Sequence, residues 1–249
     1  ICENLNPTNC STTTITVTVD AAVIDAVVDT FGPVNGASGS ANVGNAYTND
    51  TLNGVAVVVA NITGTVLVPA TPIGANPVPV LDPATGVVSV PVGTPAGAYT
   101  IEYEICENLN PTNCDSATIT VNVTAPPIVA NPDTATGING LVGATGVVNV
   151  LTNDTLNGVP VSLATVVITT VVPATPIGGG PVPVLNPATG LVDVPANTPA
   201  GTYTISYTIC DQLNPTNCST STVTITVAAA VIVANPDTAT GINGLVGAT

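Results

Sequence analysis

The phrase ICENLNPTNC opens the chain, returns unchanged at Ile105, and returns with two substitutions as ICDQLNPTNC at Ile209. Cys2, Cys106 and Cys210 are 104 residues apart, and so are Cys10, Cys114 and Cys218. The register holds elsewhere: TNDTLNGV at Thr48 recurs at Thr152, VPATPIG at Val68 recurs at Val172, and NPDTATGINGLVGAT at Asn131 recurs at Asn235. A fixed period of this kind fixes the architecture before any residue is read singly, because each period must be one structural unit. About a hundred residues is also the usual size of a domain that folds alone. The expected organisation is the last hairpin and strand of a truncated repeat (1–20), two complete repeats (21–124 and 125–228) and the first segment of the next (229–249). The chain reads as a length of a longer tandem array.

The inventory of side chains excludes several functions. There is no Lys, Arg or His, and fifteen acidic residues give a net charge of −15. Nucleic acids and anionic membranes need cationic partners, so neither is expected. No apolar run approaches the roughly 20 residues that span a bilayer. Without His or Lys there is no Ser–His–Asp triad, no Cys–His pair and no Schiff-base lysine. Glu102 and Glu104 offer a carboxylate pair, but the next repeat has Ser206 and Thr208 there. No enzyme is expected.

Period-two alternation supplies the fold class. In GTYTISYTIC, Tyr203, Ile205, Tyr207 and Ile209 share one face, and Thr202, Thr204, Ser206 and Thr208 the other. In STSTVTITV, Val223, Ile225 and Val227 alternate with Thr222, Thr224 and Thr226. Such patterns predict half-buried antiparallel strands. The Pro- and Asn-containing loop between them predicts a hairpin. VVNVLTN, VSLATVVITTVV, PVPVLN and LVDVP read as further strands, and no segment shows a helical period. The prediction is all-β: tandem Ig-like antiparallel β-sandwich domains on the 104-residue repeat, with Tyr99, Tyr103, Tyr203 and Tyr207 as the largest core pieces.

Three C-x7-C pairs without a histidine predict disulfides Cys2–Cys10, Cys106–Cys114 and Cys210–Cys218, and hence an oxidising compartment. Two Cys per repeat cannot fill a tetrahedral zinc site. Cys210 and Cys218 share the parity of the Thr faces, which places the bridge across the mouth of the hairpin on the solvent side.

NVLTNDTLNG early in a repeat, GTYTISYTIC late in it and TVTITV at its end resemble tandem bacterial Ig-like and cadherin-like repeats. Such repeats build very long secreted surface proteins, including giant gliding-motility and adhesion proteins of Bacteroidota. The resemblance implies an extracellular, cell-surface stalk or filament whose partners are neighbouring repeats and possible further copies.

Acids kept in every copy are the remaining candidates. Asp29, Asp133 and Asp237 follow the junction between repeats, and Asp50 and Asp154 sit in TNDTLNG. One reading is calcium, which takes carboxylates and carbonyls and which stiffens the junctions of cadherin-like arrays. The other is capping of turns through backbone N–H groups. Glycosylation is a third theme. Thr51, Ser116, Thr134, Thr155 and Thr238 resemble the Asp-Ser/Thr-apolar acceptors of Bacteroidota secreted proteins, while Asn49, Asn61, Asn122 and Asn153 fit the N-x-S/T pattern. The functional expectation is a fibre or adhesin stalk giving length, stiffness and durability. A self-assembled multi-chain filament, or a glycan- or protein-binding module using the disulfide-closed loops, is the alternative.

Overall fold

The computed structural model describes residues 1–238, 240 and 241; residues 239 and 242–249 of the last expected segment lie outside the described residues. The chain divides into two compact units, Ile1–Ala125 and Pro126–Thr249, each built as a β-sandwich. In the first, the larger sheet runs Asp29–Asn35, Asn110–Thr124, Gly97–Glu107, Ile62–Val68, and the opposing sheet runs Ser40–Asn45, Val87–Val90, Val80–Leu81. A short ribbon, Ile24–Asp25, Thr51–Leu52, Val55–Ala56, lies ahead of them. The second unit repeats this order with Asp133–Asn139, Cys218–Ala228, Gly201–Asp211, Val166–Val172, then Ala144–Asn149, Leu191–Val194, Val184–Asn186, and the ribbon Ile128–Val129, Thr155–Leu156, Val159–Pro160.

The alternation does what its period requires. Tyr203, Ile205, Tyr207 and Ile209 point inward at 1% exposure or less, and pair across the sheet with Ile225 and Val223 among others. Val192, Val194 and Leu185 close the same core from the opposing sheet. Each such aliphatic side chain contributes about 1.5–3 kcal/mol by leaving water, and a run of them holds the strand pair. Asn-Gly ends the ribbon hairpins: Asn53 and Asn157 take φ of 53° and 54°, and Gly54 and Gly158 of 69° and 75°, the left-handed pair that a two-residue turn demands. Among the described residues the only helical pieces are two 3-10 turns, Ala46–Thr48 and Val59–Asn61.

Two features depart from the pattern read in the sequence. Asp29–Asn35 and Asp133–Asn139, rich in Thr, Gly and Asn, are strands, and they pair in parallel with the last strand of their unit. Their alternation is weak because they are edge strands broken by a register shift, which leaves few of their side chains in the core. The second concerns Ser11–Asp20, expected as a last strand. It forms none, and Ile15, Val17 and Val19 are 76–88% exposed. A strand exists only through its neighbours' hydrogen bonds, and Ser11 exchanges its backbone bonds with Ile1 without the ladder extending further among the described residues.

Candidate functional site: the entry end of each unit

Three disulfides close the repeated loops: Cys2–Cys10, Cys106–Cys114 and Cys210–Cys218. In both units the two cysteines are register partners on adjacent antiparallel strands, on the face opposite the core. Cys218 is exposed, whereas Cys210 is buried to 4% beside the Thr169 hydroxyl. The bridge is therefore only half open to solvent.

The loop so closed grips the linker entering its own unit. Glu107 Oε2 accepts from the side-chain amides of Asn110 at 2.9 Å and Asn113 at 3.0 Å. These two amides, Asn110 first, hold its carboxyl below the usual range. Asn113 spends its other amide hydrogen on the Ala22 carbonyl at 2.7 Å. In the second unit Asn217 makes the same bond to the Pro126 carbonyl at 2.8 Å, while Asp211 orders the loop through the Leu213 N–H and the Asn214 amide. On the other side of the second cysteine, Asp115 Oδ2 accepts the Ala26 N–H at 2.8 Å and Ser219 Oγ accepts the Ala130 N–H at 3.0 Å. Each repeat's paired-cysteine phrase thus holds a carbonyl and an N–H of the linker, four residues apart.

Behind this clamp lies a buried carboxylate pair. Asp50 Oδ1 accepts the Val27 N–H at 2.8 Å, and Asp154 Oδ1 accepts the Asn131 N–H at 2.7 Å. The Tyr103 hydroxyl is 3.0 Å from both Asp50 oxygens, 3.2 Å from the Val27 carbonyl and 3.4 Å from that of Ala46. The Tyr207 hydroxyl is 3.0 Å from Asp133 Oδ2 and from the Asn131 and Val150 carbonyls, and 3.4 Å from Asp154 Oδ2. Asn49, with its amide turned to donate, reaches Asp29 Oδ1 at 3.3 Å. Asp29 Oδ2 is buried with no hydrogen-bond partner. One hydroxyl hydrogen serves one acceptor at a time, so each cluster has more acceptors than donors.

Burial, reinforced by the neighbouring Asp50 charge, pushes the Asp29 carboxyl up to about 6. Burial likewise takes Asp154 to about 6 and raises Asp50 and Asp133. With no basic side chain anywhere in the chain, these groups can be neutralised only by protons or by a cation from solution.

The candidate metal residues are therefore brought together as two pairs, Asp29 with Asp50 and Asp133 with Asp154. Asp237 is exposed. Two carboxylates and two backbone carbonyls are hard oxygen donors of the kind calcium takes, and the N–H groups that Asp50 and Asp154 accept, from Val27 and Asn131, belong to the linker 23 residues earlier. The tyrosine hydroxyl was missed: alternation placed Tyr103 and Tyr207 in the core, and only their retention in both repeats hinted at more. Glu104 lies close to the sulfurs of Cys106 and Cys114, but a disulfide offers no thiolate to a metal.

Among the glycosylation candidates, Ser116, Thr134, Thr238, Asn61 and Asn122 are exposed, while Thr51 and Thr155 are half-buried in the ribbon strands. Asn49 and Asn153 are exposed, but their side chains bridge to the linker side of the cluster, Asn153 donating to the Pro132 carbonyl at 3.0 Å.

No family model matches the chain, and no curated protein matches it. Among solved structures it is similar to the human desmocollin-1 ectodomain (13% identity, TM-score 0.33, 84% of this chain and 42% of that one). It is similar also to Drosophila N-cadherin EC1–4 (14%, 0.31, 84% and 50%) and to the protocadherin gammaB7 EC3–6 cis-dimer (11%, 0.34, 83% and 51%). The chain thus spans about half the length of these cadherin ectodomain chains or less. Likeness at this level carries no argument about ligand, partner or site.

Proposed function

We propose that this chain is a segment of an extracellular cell-surface fibre or adhesin stalk, in which each repeat supplies length and a stiff joint. The observation that carries the reading is the linker clamp, present in both units with the same asparagine and with Asp115 or Ser219 as its second group. Asn113 and Asp115 hold Ala22 and Ala26, and Asn217 and Ser219 hold Pro126 and Ala130. Closed disulfides support an oxidising, extracellular setting.

Small-angle scattering of the two-unit chain tests this. The expected result is a narrow distribution of extended shapes, broadened by Asn217→Ala. A broad distribution in the native chain, or no response to Asn217→Ala, would count against a stiff joint.

A second reading has its own observation. A pair of carboxylates in each unit, buried at Asp50, Asp133 and Asp154 and half-buried at Asp29, in a chain without a single cationic side chain, favours a hard cation such as calcium at Asp29/Asp50 and Asp133/Asp154. A melting midpoint higher in calcium than in chelator supports it, and equal midpoints remove it.

A further inference from the structure

We propose that each unit is a mechanical clamp, in which tension applied through the chain ends loads the parallel pair of first and last strands in shear. In the first unit the pairs are Ile119↔Asp29, Thr120↔Thr30, Val121↔Phe31, Val123↔Val34 and Thr124↔Asn35. In the second they are Asp133↔Val223, Thr134↔Thr224, Ala135↔Ile225, Ile138↔Val227 and Asn139↔Ala228. The chain enters a unit just before one strand of this pair and leaves just after the other. Because the two are parallel, both point from the entry end to the exit end. Tension draws the first strand toward the entry end and the last toward the exit end. The hydrogen bonds between them are loaded together and must fail together. Antiparallel terminal strands would meet the pull at one end of their ladder and open bond by bond.

Two further features close the easier ways of yielding. The linker ahead of the first strand is gripped by the last strand, since Asn113 and Asp115 lie within Asn110–Thr124, and in the second unit Ser219 lies within Cys218–Ala228 with Asn217 immediately ahead of it. Load therefore passes from linker to last strand without crossing the core. The disulfide then ties that last strand to Gly97–Glu107 in the first unit, and to Gly201–Asp211 in the second. The last strand cannot slide out of the sheet without dragging its neighbour. Clamp, ladder and bridge form one load path in each unit.

This proposal rests on the stalk reading only for the reason the ends are pulled. The test is single-molecule stretching of the whole chain, held by its ends in oxidising buffer, where two unfolding events are expected. Thr134→Pro and Ala135→Pro are made separately; as neighbours in one strand, one of them supplies an N–H to the ladder. Interrupting a ladder of five pairs near its middle leaves about half its bonds loaded together, so one of these variants should lower the second unit's unfolding force about twofold. The first unit serves as the standard within the same molecule. Unequal forces support the clamp, and equal forces in both variants overturn it. If proline abolishes the second event, a further arm uses the native backbone, with handles at the exposed Val172 and Val184 that pull the second unit without loading the parallel pair. A lower force than end-pulling supports the clamp, and the same force overturns it. Either failure leaves the stalk reading to the scattering experiment.

Discussion

Ile1–Cys10 and Ile105–Cys114 are the same ten residues in two surroundings. In both, the cysteines are bridged. In both, the glutamate gathers two asparagine amides: Glu3 from Asn6 at 3.1 Å and Asn9 at 3.0 Å, Glu107 from Asn110 and Asn113. Beyond the loop the copies part. Ile1 is fully exposed and Ile105 fully buried. Ile15, Val17 and Val19 stand in solvent, while their counterparts Ile119, Val121 and Val123 are 0–5% exposed in a strand. The difference separates what short-range contacts can build, a loop with its own internal bonds, from what needs a second and third strand alongside.

The largest effect should come from the isoleucines. Ile105→Ala should cost the first unit about 2–5 kcal/mol through lost burial and a cavity, whereas Ile1→Ala should change urea unfolding by less than about 0.5 kcal/mol. Equal effects would erase the contrast between the copies. Next are the bridges. Replacing Cys106 and Cys114 by Ser should destabilise the first unit by about 2–3 kcal/mol, as expected for closing so short a loop. The same change at Cys2 and Cys10 should leave both sandwich transitions where they were.

Tyr207→Phe should cost about 1–3 kcal/mol in the second unit by stripping the buried Asp133–Asp154 pair of its phenolic donor. The pair also sets a pH dependence. A carboxyl raised to about 6 in the folded state, as at Asp29 and Asp154, binds its proton more tightly folded than unfolded. Its contribution is fully present below the ordinary aspartate value near 4 and is lost as pH rises through about 6. Thermal midpoints in chelator should therefore fall between pH 4 and 6 and then level off, and Asp154→Asn should flatten that fall for the second unit. A midpoint rising over this interval would mean the carboxyls are not held up by burial. The smallest effect is Asn113→Ala, about 0.5–1.5 kcal/mol for its hydrogen bonds, against no change in either sandwich for Asn9→Ala.

Much of the fold was legible because its period is strong. Strands with Tyr and Ile facing Thr declare both their existence and their buried face. The cysteine parity put both partners on one face, as partners on adjacent strands must be, but did not reveal the burial of Cys210 beside Thr169. Asp133–Asn139 was not legible as a strand: DTATGIN carries a glycine and a register shift, and its pairing is supplied by a strand some ninety residues on. The clamp was hidden for the same reason. Asn113 and Ala22 are 91 residues apart, and nothing in an asparagine announces which carbonyl its second amide hydrogen will find.

The sequence by itself determined the 104-residue repeat, the β class, the inward faces, the disulfide loops and the absence of any cationic side chain. Those follow from local periodicity and from inventory, which need no partner. Tertiary structure alone decided that first and last strands run parallel and that the loop closes on the linker. It alone brought Asp29 to Asp50 and Asp133 to Asp154 around a tyrosine hydroxyl. These depend on contacts between distant segments, where many residues could serve and only the folded geometry selects which do.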